Sequence, residues 1–128
     1  MRADVRPVLA RPLEKPMQGW DDYRGRAVWT RLFRQGTTPT DSMTAGVAEL
    51  AKGGFLAPHR HPQAEVYYVL EGQGTFTVDG EVHAVGAGTA LFIPGGSEHA
   101  IRNDASESLR FFYVFAVDRI EDVEYTFT

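Results

Sequence analysis

The sequence predicts an all-β fold, a sandwich or barrel of short strands. Three observations point there. Gly 13 and Pro 7 make 20 of the 128 residues, about 16% against a usual background of about 12%, and that surplus favours turns over long helices. Short apolar, β-branched and aromatic runs recur about every ten residues between Gly/Pro-rich turns. No segment sustains the 3.6-residue period of an amphipathic helix.

Taken in order, residues 1–27 carry Pro7, Pro12 and Pro16 among scattered charges and read as an extended arm with little regular structure. Residues 28–128 read as one barrel domain, the most a chain of 128 residues accommodates. The first strand is expected at 28–33, followed by a Thr/Gly/Pro-rich loop at 35–41. Further runs lie at 43–50, 65–70, 74–78, 81–85, 89–93, 100–103, 109–117 and 123–127. Asp79-Gly80 between two of them is a two-residue hairpin signal.

Composition removes several chemistries. With Cys 0, disulfides, thiolate zinc sites, iron–sulfur clusters and cysteine nucleophiles are excluded. Any bound metal must therefore be held by His and carboxylates. A net charge of −4 gives no overall attraction to nucleic acid or an anionic membrane. No apolar run approaches the roughly 18 residues of a membrane span, and the first residues lack the apolar stretch of a secretory signal. The expectation is a soluble cytoplasmic protein that handles a small-molecule ligand.

Two stretches concentrate the chemistry. In Gly53-Gly54-Phe55-Leu56-Ala57-Pro58-His59-Arg60-His61-Pro62-Gln63-Ala64-Glu65, His59 and His61 share one side of an extended chain, and Glu65 keeps that parity. In Gly88-Thr89-Ala90-Leu91-Phe92-Ile93-Pro94-Gly95-Gly96-Ser97-Glu98-His99, His99 follows a Pro-Gly-Gly turn where a strand would enter the same barrel. Three imidazoles and one carboxylate form a mixed N/O donor set that suits Fe(II), Mn(II), Ni(II), Zn(II) or Cu(II). Four such ligands leave up to two positions of an octahedral ion open for substrate or water.

The spacing of these residues resembles the two motifs of the cupin superfamily. Gly53, His59-Arg60-His61, Glu65 and Gly72 match the first motif, and Gly88, Pro94-Gly95-Gly96, His99 and Asn103 match the second. Fifteen residues separate Gly72 from Gly88, similar to the short spacing of small bacterial cupins. The resemblance implies a double-stranded β-helix, or jelly-roll barrel, and a metal bound by His59, His61, Glu65 and His99. Cupins that cleave dimethylsulfoniopropionate look similar at one further spot. Their tyrosine two residues after the metal Glu resembles Tyr67, which that likeness makes the candidate base for a β-elimination.

Strand parity turns Tyr67 and Val69 inward with Glu65, and Val66, Tyr68 and Leu70 outward. A phenol beside a divalent metal can have its pKa lowered and act as a general base. Phe76, Phe92, Ile101, Phe111, Tyr113 and Phe115 are the other inward candidates and describe an apolar, aromatic pocket. Arg102, Arg110 and Tyr113 are candidate substrate contacts, because guanidinium groups hold carboxylates bidentately. Arg60, Glu98 and His83 are expected at the surface, and Asn103 in a structural hydrogen bond. The expected activity is that of a lyase, isomerase or dioxygenase on a small organic acid. A non-catalytic ligand-binding role and a purely structural metal are the alternatives. The arm and the alternating tail of Val123, Tyr125 and Phe127 offer apolar faces for a homodimer partner, with Trp20 and Trp29 as interface candidates.

Overall fold

Alternation of buried and exposed side chains builds the strands that enclose the interior. It is clearest in Leu109–Phe115, where Leu109, Phe111, Tyr113 and Phe115 are buried and the residues between them half-exposed. It recurs in Glu65–Glu71, which buries Glu65, Tyr67 and Val69. The computed structural model describes residues 7–11, 17–34, 40, 42–117 and 119–128. In chain order the strands are β1 Met17–Asp22, β2 Gly25–Phe33, β3 Thr44–Leu50, β4 Phe55–Arg60, β5 Glu65–Glu71, β6 Gln73–Val78, β7 Glu81–Gly86, β8 Ala90–Ile93, β9 His99–Arg102, β10 Leu109–Phe115 and β11 Thr126–Phe127. A short 3-10 turn, Ile120–Asp122, precedes β11.

The strands join in the order β7-β6-β9-β4-β2-β3-β10-β5-β8, with β1 paired to β2 and β11 to β4. All pairings are antiparallel. One seam of the curled sheet is the brief β2–β4 pairing, Gly25 with Leu56 and Arg26 with Phe55. The fold is the all-β jelly roll that the motifs imply. No helix among the described residues is long and apolar enough to cross a membrane.

Asp79 and Gly80 have φ of 47° and 85° and join β6 to β7 through the pair Val78–Glu81. Two positive φ values in a two-residue loop match the right-handed twist of the flanking strands, as the sequence signal requires. Leu50, Val69, Phe76, Ile101, Leu109 and Phe111 form the fully enclosed part of the core, each no more than 2% exposed.

Three readings change. Residues 17–27 are not irregular: β1 pairs with β2 along its whole length, from Met17–Thr30 to Asp22–Gly25. Residues 7–11 have no regular structure, as expected, and 1–6 and 12–16 lie outside the described residues, as does most of the loop expected at 35–41. Phe55–Arg60 is a strand that the sequence signal missed, because Pro58 sits inside it. The register slips between Leu56 and His59, and such an irregularity accommodates a proline that cannot donate to a ladder. Phe92 faces out rather than in, with 67% exposure, while its neighbour Ile93 is fully buried.

Candidate functional site

The β4–β9 pairing sets His59 directly opposite His99, with ring centroids 4.2 Å apart. His61 follows β4, and its ring lies 5.1 Å from that of His99. One nitrogen from each of the three buried imidazoles falls within 4.8 Å of the other two. Glu65, at the start of β5, puts Oε1 3.2 Å from His61 Nε2 and 3.4 Å from His99 Nε2. All four residues are at most 3% exposed.

Backbone carbonyls orient the rings. His59 Nδ1 lies 2.6 Å from the carbonyl of Ala57, His61 Nδ1 2.9 Å from that of Gln63, and His99 Nδ1 3.0 Å from that of Ser97. A carbonyl only accepts, so Nδ1 carries a proton in each case, and in the neutral ring Nε2 presents a lone pair toward the group. This is how imidazoles are held for metal ligation, the ring fixed through one nitrogen and the other free. His99 Nε2 is buried without a hydrogen-bond partner among the described residues. With neutral rings, the Nε2 lone pairs of His61 and His99 and the Glu65 oxygen 3.2–3.4 Å away are all acceptors, and a cation among them satisfies all three. Burial, with His99 adding to it, lowers the His59 pKa to about 4, so the ring is neutral near pH 7 and able to ligate. The donor set therefore fits a divalent metal.

Above this group lies a cavity of about 50 Å³, lined by His59, Glu65, Tyr67, Tyr113, Arg31 and Tyr125 among others. One water needs roughly 10–15 Å³ on this measure, so the space suits a ligand of a few heavy atoms. Tyr67 packs against Phe111 at 4.5 Å and Phe76 at 5.9 Å between ring centroids. Burial holds its phenol well above the ordinary tyrosine range, and the Glu65 charge adds to the rise. Tyr113 is pushed up to about 12 by burial, against the opposing charge of Arg31.

The proposed substrate arginines are not brought to the cavity. Arg102 points away and pairs with Asp104 at 2.7 Å, and Arg110 pairs with Glu71 at 2.8 Å. Both alternate with inward residues, Ile101 and Phe111, that take the interior side. Tyr113 does line the cavity. Arg60 and Glu98 meet at the surface, 3.4 Å apart, and His83 sits beside Glu81 on exposed β7.

Arg31 and Tyr125 were missed as cavity residues. The available signal for Arg31 was its parity with Trp29 on β2. For Tyr125 it was the alternating tail, which closes over its own chain: Trp20 lies 5.5 Å from Tyr125, 5.7 Å from Phe127 and 5.0 Å from Trp29 between ring centroids. Trp20 thus packs within the chain.

Comparison with known proteins gives a consistent picture. The Cupin domain family (Cupin_2) matches residues 46–115. Dimethylsulfoniopropionate lyase DddW of Ruegeria pomeroyi is 42% identical over 110 residues, which span 86% of this chain and 72% of that protein. Dimethylsulfoniopropionate lyase DddQ of the same organism is 34% identical over 83 residues, 63% of this chain but 41% of that protein. The crystal structure of that DddQ superposes with a TM-score of 0.67 at 26% identity, covering 82% of this chain and 52% of its own. The structure of a predicted oxalate decarboxylase from Thermotoga maritima matches in fold, with a TM-score of 0.77 at 24% identity over 86% of this chain and 99% of that one.

Proposed function

The chain belongs to the cupin family, and from that premise we propose that it is a metal-dependent lyase that cleaves dimethylsulfoniopropionate, or a close analogue, by β-elimination. The observation that carries the proposal is the convergence of three imidazole nitrogens and Glu65 at a cavity whose wall holds Tyr67. The 42% identity to a lyase of this substrate supports it.

His59, His61 and His99, with Glu65 as fourth ligand, would hold one divalent ion. When bound, that ion would supply Lewis-acid charge that stabilises developing negative charge and lowers the pKa of a nearby phenol. In the reaction, the proton on the carbon next to the substrate carboxylate leaves to a base. Its electron pair forms the carbon–carbon double bond as the carbon–sulfur bond breaks. Dimethyl sulfide departs with the sulfur electron pair, and acrylate remains. Tyr67 is the phenol we assign as base, because it shares the inward face of β5 with Glu65 and borders the cavity. Its burial holds it protonated without added positive charge, so both the bound ion and the sulfonium of the substrate favour the phenolate. The rings of Trp20, Trp29 and Tyr125 make the rest of the wall apolar, which strengthens charge interactions beside it.

The test is direct. Protein loaded separately with Fe(II), Mn(II), Ni(II), Zn(II) or Cu(II) is incubated with dimethylsulfoniopropionate, and dimethyl sulfide is followed by gas chromatography. Turnover is expected with at least one metal, and chelation should abolish it. Tyr67→Phe should lower kcat by about 100-fold or more with metal content unchanged. Absence of dimethyl sulfide with every metal discards the reading. A loss confined to Tyr125→Phe moves the base to that phenol.

A further inference from the structure

A single row of residues crosses four strands of the cavity wall. Arg31 of β2 is opposite Gly46 of β3, Gly46 is opposite Tyr113 of β10, and Tyr113 is opposite Tyr67 of β5. Arg31, Tyr113 and Tyr67 all line the cavity. The glycine in the middle of the row leaves a gap. A Cβ at position 46 would sit 2.6 Å from the Tyr113 hydroxyl oxygen and 2.9 Å from its Cζ, closer than side chains tolerate. Through that gap Arg31 Nη1 donates a hydrogen bond of 2.9 Å to the Tyr113 oxygen.

The direction of this bond has a consequence. A guanidinium has donors only, so the Tyr113 oxygen must accept, and the phenol's own proton is turned away from Arg31. Arg31 also keeps donors in hand. Its buried Nε has no hydrogen-bond partner among the described residues, and no carboxylate among them forms an ion pair with it. The Trp29 ring, 5.4 Å from Arg31 Cζ, gives the guanidinium a flat platform. One wall of a largely apolar cavity thus offers a fixed positive charge, an unsatisfied N–H and a phenolic O–H. A carboxylate is the group that accepts from all three.

We propose that Arg31 and the Tyr113 hydroxyl form a carboxylate-binding subsite, so that the cavity takes a small organic anion and holds it by that end. The assignment deepens the elimination reading and rests on it for the identity of the ligand. It makes Arg31 the residue that positions the substrate carboxylate. A side chain at position 46 would meet both the Thr30 carbonyl and the Tyr113 ring.

The probe is propionate against propionamide, which have the same shape but differ in charge. Each is titrated calorimetrically into the full-length, metal-bearing protein. Wild type is expected to bind propionate at least about tenfold more tightly than propionamide. In Arg31→Gln the preference should fall to within about threefold at equal metal content. Tyr113→Phe should lose part of it, and Arg31→Lys should retain part of it, so the assignment stays testable if Arg31→Gln folds poorly. Wild type that does not prefer propionate, or Arg31→Gln that keeps the full preference, overturns the subsite.

Turnover separates the two ideas. Wild type that prefers propionate through Arg31 yet releases no dimethyl sulfide sinks the elimination reading and upholds the subsite. Active wild type whose Arg31→Gln variant keeps KM unchanged does the reverse.

Discussion

Asn103, fully buried, has both ends of its amide occupied by backbone. Nδ2 donates to the carbonyls of Leu50 at 2.9 Å and Glu107 at 2.8 Å, and Oδ1 accepts from the amide of Ala105 at 3.0 Å. Its own backbone pairs with Gly53 and Gly54, so the last residue of the second motif fastens the first residues of the first. Asn103→Ala leaves the buried carbonyl of Leu50, the carbonyl of Glu107 and the amide of Ala105 short of a partner, and a loss of about 2–4 kcal/mol is expected. Scanning calorimetry would read this as a fall in Tm of roughly 10 °C; an unchanged Tm would remove the fastening role. Tyr113 gives a second residue-scale prediction, this one in pH. Its folded pKa of about 12 exceeds the 10.0 of an ordinary tyrosine, so the unfolded chain loses that proton first as pH rises. The associated stability is complete below pH 10 and is lost between about pH 10 and 12, on the order of 2–3 kcal/mol in all. Tm measured from pH 9 to 11.5 should fall less steeply in Tyr113→Phe than in wild type.

At the scale of elements, Trp20 on β1 gathers Trp29, Tyr125 and Phe127 around it edge to face. Such ring pairs contribute about 0.5–1.5 kcal/mol each beyond area burial. Trp20→Ala is therefore expected to lower the urea midpoint by an amount equivalent to about 1–3 kcal/mol, with the m-value unchanged. A wild-type midpoint would show that the hairpin only decorates the barrel. This hairpin was illegible in the sequence because Pro16, Gly19 and adjacent acids mask a strand that forms only against β2. What the sequence does make legible is local. Parity on β5 turned Glu65 and Tyr67 inward and Val66 and Tyr68 outward, as the structure has them. Motif spacing located the three clustered imidazoles and the Glu65 carboxylate beside them, and Asp79-Gly80 located a hairpin. Parity failed for Phe92, since the four residues of β8 are too few to display a period. It was not applied to Arg102 and Arg110, which alternate with Ile101 and Phe111. The contact of Arg31 with Tyr113 spans 82 residues of chain, and no pattern within either strand encodes their common register with Gly46.

At the scale of the whole molecule, the outer face of the sheet carries an apolar surface that one barrel does not cover. Val66, Tyr68, Leu70 and Phe92 are 39%, 44%, 38% and 67% exposed. Register makes them contiguous: Val66 lies opposite both Phe92 and Val114, Tyr68 opposite Phe112, and Phe112 opposite Val47. The patch thus runs across β8, β5, β10 and β3 and reaches the edge strand β8. Contiguous exposed apolar surface of this kind marks a protein interface or an aggregation hazard. A second copy meeting the same face of the first satisfies it with closed two-fold symmetry. We therefore expect a homodimer joined through this face, rather than through the arm or tail, with a light-scattering mass of twice 14.2 kDa. Phe92→Asp combined with Tyr68→Asp places charge in the centre of the patch, and such charges are costly to bury. That variant should be monomeric. Because dimerisation stabilises by mass action, wild-type Tm should rise with protein concentration and the variant's should not. Metal content should be equal in the two, since Tyr68 points away from Glu65 and Tyr67 on β5 and Phe92 faces outward on β8. A wild type that scatters as a monomer, with a concentration-independent Tm, removes this interface.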